Sequence, residues 1–401
     1  MILKGRGIKA RLQRSGVLFV KRTLPGGVLH DTPSRLVDFH NELKSGVDWG
    51  AMIPVRSGQW RTELPPQIFN HPVSSRFTRY LNREIPDAWI AELPQGKVYG
   101  RDTNLIINRD NVLSTDLSRE FGAYGGRHIR SSELYASQLY YGKSISLPGT
   151  TAVITTKGNA NFHHWNYDCL PRFQMLREAG LLDKVDHFLI RNQGSPFQRE
   201  SLQLLGIQED KIFNTGDKDM LIETDTLLVP SLPSPLGTVS PWVTDFLNDL
   251  YHSDGGKEEG YDRIYISRKN ASSRQIINNP AFMELLARFG IREVFPEDHS
   301  VSAFARIMAG ASFIISVHGS GLSNLCFIGS RTVVVDILMP YHQDAYYWQM
   351  TNIRGGRYIG FFGNGPHPPD DLDLVAHKID EDIELDRVAL EELLYKELKQ
   401  A

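Results

Sequence analysis

Twelve residues from Asn161 to Arg172, NFHHWNYDCLPR, hold two imidazoles, an indole, a phenol, a carboxylate and a guanidinium. If the segment is helical from Phe162, His164 and Asp168 stand four residues apart on one face and can hydrogen-bond. Such a pair suits proton abstraction near neutral pH, the carboxylate fixing the tautomer while the imidazole takes the proton. The same two groups also allow the reverse assignment, Asp168 accepting the proton and His164 orienting a substrate. A helix start rich in aromatics has a plainer reading as well, as a cap packed on a core.

Two further segments carry chemistry. In Ala311–Gly329 an apolar strand runs into His318-Gly319-Ser320-Gly321, and a helix carrying Asn324 is expected from Leu322 to Phe327. Glycines let a backbone approach a ligand closely, and a helix N-terminus offers N–H groups to an anion. The spacing is G-x-G-x-x-N, so the third glycine of the dinucleotide fingerprint is missing, and a tight turn explains the pattern equally well. In Arg263–Asn279 a strand is followed by Ser267, Arg268, Lys269 and Arg274. Arginines at the carboxyl end of a strand can hold a diphosphate bidentately; the bland alternative is solvated surface charge.

Other chemistries find little support. Asp217-x-Asp219 and Asp380-Glu381-Asp382 are short acidic runs, and one run supplies too few convergent oxygens for a metal, so none is expected. Neither a Walker A sequence nor a G-x-S-x-G elbow occurs. Cys169 and Cys326 are the only cysteines, which excludes a disulfide framework and reads as packing within a reducing compartment.

These segments need a scaffold, and the pattern from Thr151 onward supplies one. Strands are expected at Thr151–Thr155, His187–Arg191, Thr226–Pro230, Arg263–Ile266, Arg292–Val294, Phe313–Val317 and Thr332–Ile337. Between them, helices are expected at Pro171–Ala179, Gln198–Leu205, Pro280–Phe289 and Ser302–Ala309. Alternation of this kind predicts an α/β fold built from doubly wound parallel sheets, with ligands at the carboxyl ends of the strands. The Pro-rich, then polar, stretch Pro230–Gly260 reads as a loose crossing between two such units. The first 150 residues show only short β-like runs, such as Lys97–Tyr99 and Asn104–Ile107, with a hairpin turn at Arg109–Asp110–Asn111.

The whole chain has 401 residues, with 44 Lys and Arg against 47 Asp and Glu, a net charge of −3. That balance removes the electrostatic case for a nucleic-acid partner. No apolar run approaches the roughly 20 residues of a membrane span, and the N-terminus lacks the core of a secretion signal, so a cytoplasmic protein is expected. Residues 1–22 carry seven basic groups and no acid, a solvated arm or a peripheral contact with the inner face of an anionic membrane. Residues 370–401 hold eleven acids and four Lys or Arg, and Val388, Leu390, Leu393, Leu394 and Leu398 recur at near-helical spacing, predicting a packed terminal helix.

Together the three constellations resemble glycosyltransferase family 61. The family's first motif, roughly N-x-x-H-W-x-x-D-x-L-P-R, is matched by Asn161, His164, Trp165, Asp168, Leu170, Pro171 and Arg172. Its Y-I-S-R motif with a later arginine is matched by Tyr265, Ile266, Ser267, Arg268 and Arg274. Its third, H-G-A-G-L-T-N-L-x-F, is matched by His318, Gly319, Gly321, Leu322, Asn324, Leu325 and Phe327, with Ser320 and Ser323 as departures and Asp336 in the later acidic place.

The resemblance implies a GT-B fold, two Rossmann-like domains facing across a cleft. It divides the chain into an acceptor-side domain at 1–235, a nucleotide-sugar domain at 236–370 and a terminal acidic helix at 371–401. It further implies inverting, metal-independent transfer, without a cofactor, from a nucleotide sugar (a UDP-sugar foremost) to a glycan or glycolipid hydroxyl in bacterial surface-polysaccharide synthesis. Asp168 or His164 would serve as base, and Ser267, Arg268, Arg274, His318, Gly319, Ser320, Gly321 and Asn324 would hold the donor. His163, Trp165 and Arg172 would lie on the acceptor side. A non-catalytic nucleotide- or glycan-binding protein on the same fold and a GT-B-like sugar-nucleotide epimerase are the rival classes.

Overall fold

The structure, a computed structural model, describes residues 32–33, 35–103, 105–118, 139–234, 237–369 and 381–399. The basic arm at 1–22, and Asp370, Asp371, Asp373 and Asp380 of the acidic stretch, lie outside the described residues.

The fold is mixed α/β, with two main sheets. The second sheet runs in the order Arg292–Val294, Arg263–Ile266, Phe313–Val317, Val333–Leu338, Arg357–Phe362 and Gln67–Ile68, and every neighbouring pair is parallel. FIISV at 313–317 is buried at every position, the signature of a strand covered by helices on both faces. The edge strand Gln67–Ile68 comes from the first half of the chain, and Asn70 bonds both the N–H and the carbonyl of Phe362.

Among the described residues the first sheet has ten strands, of mixed direction. Its main parallel run is Leu221–Pro230, Ile145–Val153, His187–Ile190 and Ile212–Asn214, and Arg35–Val37 also pairs parallel with Val112–Ser114. The other edge of Leu221–Pro230 pairs antiparallel with Ala88–Pro94 and Lys97–Tyr99. The expected hairpin forms from Leu105–Ile107 and Val112–Ser114, with Asn111 in the left-handed region at φ 60°. Such a φ is tolerated by Asn better than by most residues.

Most helices begin as their sequences direct. Pro171, Pro196, Pro241 and Pro280 occupy first-turn positions, where the missing N–H costs no helical bond. The expected helices appear as Leu170–Glu178, Pro196–Leu204, Asn279–Arg288 and Val301–Gly310. Two readings need correction. The stretch Pro230–Gly260 is not simply loose, because Pro241–Tyr251 forms a helix that buries Val243, Thr244, Leu247 and Tyr251. The expected helix after the glycine turn is a 3-10 helix, Ser320–Phe327.

The terminal helix Arg387–Leu398 buries Leu390, Leu393, Leu394 and Leu398 beside helix Asn279–Arg288, while Val388 is exposed. One apolar cluster joins the two sheets. It contains Ile154, Phe173 and Phe188 from the first half and Ile264, Ile314 and Phe327 from the second. A carboxylate crosses the same boundary: Glu200 accepts from the N–H groups of Val301 and Ser302. A negative charge there complements the positive end of helix Val301–Gly310. Among the described residues no helix is long and apolar enough to cross a membrane.

Candidate active site

The helix carrying the first constellation is irregular where its chemistry lies. Asn161 caps it, accepting from the N–H of His163 at 2.8 Å, and Phe162–His164 begin an α-helix. Trp165–Cys169 then form a π-helical turn before the α-helix resumes at Leu170. Turns of this type are rare and recur at functional sites.

The expected pair forms. His164 Nδ1 lies 2.7 Å from Asp168 Oδ2, with 35% of the imidazole side chain and 16% of the carboxylate side chain exposed. Burial pulls the His164 pKa down, but the bond to Asp168 and its charge outweigh it, leaving the imidazole more basic than usual. Nδ1 faces Asp168, so proton exchange with a substrate would run through Nε2.

His163 turns toward the second half. Its Nδ1 is hydrogen-bonded to Ser323 Oγ at 2.9 Å, and its ring stacks on Tyr167. The Tyr167 hydroxyl donates to the Ser323 carbonyl at 2.8 Å. Burial, followed by the neighbouring His164, pushes the His163 pKa down to about 4, so this ring is neutral at ordinary pH. Ser323 lies in the 3-10 helix that follows the glycine turn, so the first and third constellations touch directly.

Two residues expected on the acceptor side are buried. Trp165 is wholly buried in the shared core, its indole N–H donating to Ser201 Oγ at 2.9 Å, and no face is left for a sugar ring. Arg172 is also buried, donating to the carbonyl of Val153 at 3.4 Å. Trp165 ties the helix to helix Pro196–Leu204 and Arg172 ties it to strand Ile145–Val153; of the three, His163 alone stays half-exposed.

The second and third constellations also converge. Arg274 donates to the carbonyl of His318 at 2.9 Å, and its backbone sits at φ 59°. A Cβ on Gly319 would stand 2.1 Å from Arg268 Nη1, so only glycine lets that guanidinium lie against the turn. We therefore expect Gly319→Ala to fold normally, since the mobile end of an arginine can move, but to weaken binding of any anion held by Arg268. Circular dichroism together with an anion-binding titration checks this.

Ser267 is buried, donating to Glu293 at 2.7 Å, and Asn324 is buried, donating to the Gly321 carbonyl at 2.9 Å. These two shape the turns. His318 is buried too, its Nδ1 2.9 Å from Asp336 Oδ2, which also accepts from the Tyr358 hydroxyl. Cys169 and Cys326 are buried packing residues, burial pushing each thiol up to about 12.

A cavity of about 460 Å³ opens where the two halves meet. That is within the roughly 300–1,000 Å³ range of small-molecule sites. Arg268, Ser267, Ser320, Gly321 and Asn324 line one side, and Phe162, Phe197 and Glu200 the other. The lining segments follow the carboxyl ends of parallel strands in both sheets. Phe162 comes after Ile145–Val153, Ser195–Phe197 after His187–Ile190, Ser267–Ala271 after Arg263–Ile266, and Ser320–Gly321 after Phe313–Val317. His164 and Asp168 do not line the cavity; they follow Phe162 on the same helix, and its first turn, Phe162–His164, packs against Ser320–Phe327.

Several residues at this junction escaped the sequence reading. Ser323, Tyr346 and Tyr347 surround His163, the two tyrosine rings 5.0 and 6.4 Å from it. His342 and Asp344 bond to each other at 2.9 Å in the loop after Val333–Leu338. That loop lies at a strand's carboxyl end, which is the signal that would have drawn attention to it. The acidic run Asp217-x-Asp219 is spent on Arg191 and the N–H of Arg101.

A search of the curated proteins finds no match to the chain. Residues 162–335 match the family model described as Glycosyltransferase 61, a span from the helix of His164 to the strand that carries Asp336. Over those residues the chain is similar to the glycosyltransferase 61 family.

Proposed function

We propose that the protein is an inverting transferase that moves a sugar from a nucleotide-sugar donor to a hydroxyl of a glycan or glycolipid. The observation that carries this reading is the meeting of three constellations where the two halves join, beside a cavity at which the carboxyl ends of parallel strands from both sheets converge. In it, the two sheets are Rossmann-like units in a GT-B arrangement, the first facing the acceptor and the second the donor.

Arg268, Arg274 and the turn at Gly319–Gly321 neutralise the charge that develops on a departing nucleoside diphosphate. Cations and oriented amides do this best where a site is already assembled around the leaving group. His164 Nε2 takes the acceptor proton, and Asp168 holds the ring and stabilises the imidazolium that forms. This assignment follows from exposure, because the imidazole is the more open of the two and the carboxylate oxygen nearest it is already engaged. Surface-polysaccharide assembly is the setting to which the resemblance points.

A base of this kind leaves a pH signature. Only the neutral imidazole accepts a proton, so kcat/KM should rise with pH through a value above the usual 6.5 of histidine. In His164→Gln that acidic limb should vanish along with most of the rate. A profile flat from pH 5 to 8 in the parent enzyme would remove His164 from the base role. Linkage runs the other way for stability. The raised pKa means that the pair contributes fully below pH 6.5 and loses its contribution as pH climbs through the folded-state value.

Screening UDP-, GDP- and CMP-sugars for thermal stabilisation tests the donor, since a ligand at 100 times its Kd adds about 2.7 kcal/mol. Stabilisation followed by acceptor-dependent release of nucleoside diphosphate is expected, with a UDP-sugar first. Stabilisation without any release would favour a binding protein, and conversion of the donor sugar without acceptor would favour an epimerase.

A further inference from the structure

We propose that His318, His342 and Asp344 form a site for one divalent transition-metal ion, Zn²⁺ by preference, at the carboxyl end of the second sheet. The three residues come from two loops that follow the adjacent strands Phe313–Val317 and Val333–Leu338. One ligand atom from each, an imidazole nitrogen or a carboxylate oxygen, lies within 4.8 Å of the other two. His342 Nε2 and Asp344 Oδ2 are already 2.9 Å apart. Ligands of a tetrahedral zinc with bonds of about 2.0–2.1 Å stand roughly 3.4 Å from one another, so small loop movements complete the set.

The surroundings are those of a ligand set. His318 Nδ1 is engaged by Asp336, leaving Nε2 for a metal, and Tyr358 braces that carboxylate in turn. A carboxylate behind a ligating imidazole fixes its tautomer and raises its basicity. His342 is buried and already presents Nε2 to Asp344.

Asp344 retains 38% side-chain exposure, which provides a way in. Two imidazoles with one carboxylate favour zinc over magnesium, and three protein ligands leave a fourth position open.

The other His and Asp group among the described residues, Asp38, His40 and Asp116, differs. There Asp116 is spent on the N–H groups of Phe39 and His40, on His40 Nδ1 and on the Ser114 hydroxyl, which makes it a structural anchor. The sequence expectation of no metal rested on ligands within single runs. Here they come from separate loops.

The test is a titration of the metal-free full chain with Zn²⁺ against a chromophoric chelator, with Mg²⁺ in parallel and Co²⁺ as a spectroscopic probe. One equivalent of Zn²⁺ should bind with release of the proton shared by His342 and Asp344, and Co²⁺ should give visible four-coordinate bands. His342→Ala should weaken binding by about 100-fold and Asp336→Asn by about 10- to 100-fold. His40→Ala should change nothing. Should His342→Ala fail to fold by circular dichroism, Asp344→Asn carries the same expectation. Absence of stoichiometric binding, binding unchanged in His342→Ala or Asp344→Asn, or loss in His40→Ala alone would each overturn the proposal. None of these readouts depends on sugar transfer, so the metal site and the transferase reading fail separately.

Discussion

Asp168→Asn should lower transfer by about 10⁴-fold while leaving donor affinity unchanged. The amide keeps the shape of the carboxylate but cannot stabilise an imidazolium, and it favours the wrong tautomer of His164; losses of about that size accompany such a change in a catalytic His–Asp pair. Donor affinity is spared because the diphosphate is assigned to the Arg268 side of the cavity, which Asp168 does not line. The measurement is steady-state turnover beside a donor titration of the same preparation. Near-normal turnover would remove Asp168 from proton transfer, and a lost fold, seen by circular dichroism, would make the helix turn its main role.

Arg268→Ala produces the complementary defect. Removing a charged donor from a phosphate contact costs about 1.5–3 kcal/mol, a Kd about 10- to 100-fold weaker. Arg268 lines the cavity and lies against Gly319, so its loss empties one wall at the donor turn. The parent and the variant are compared by calorimetric titration with UDP. An unchanged Kd would mean that the diphosphate sits elsewhere. With Gly319→Ala as the milder version, the two substitutions separate loss of the guanidinium from its displacement.

Much of this site was legible because its chemistry sits in short segments beside strong strand signals. FIISV followed by H-G-S-G could hardly be read otherwise than as a buried strand ending in a turn. The i,i+4 spacing of His164 and Asp168 survives the π-helical turn between them. The destination of aromatic side chains was less accessible. Trp165 neighbours His164 in sequence, but the helix sends its indole into the core, where Ser201 receives the N–H. Nothing local in the sequence marks that choice, since it depends on which helix face the first sheet covers.

Long-range partners were hidden for the same reason. Ser323 differs from the family pattern only by a methyl group, yet it joins the halves through His163 and Tyr167. The edge strand Gln67–Ile68 is two residues long and pairs with residues nearly 300 positions away, beyond the reach of any periodicity. Helix Pro241–Tyr251 lay behind prolines that read as loop, although Pro241 in fact starts it. Its apolar face is covered by segments from both halves.

The central claim is spatial, and a structure of the protein with a bound UDP-sugar tests it most directly. The account predicts diphosphate oxygens within hydrogen-bond distance of Arg268 and the Gly319–Gly321 turn, with the anomeric carbon turned toward His164. A diphosphate held elsewhere, such as the groove lined by Arg56, Arg177 and Trp242, with the Arg268 cavity unoccupied, would contradict it.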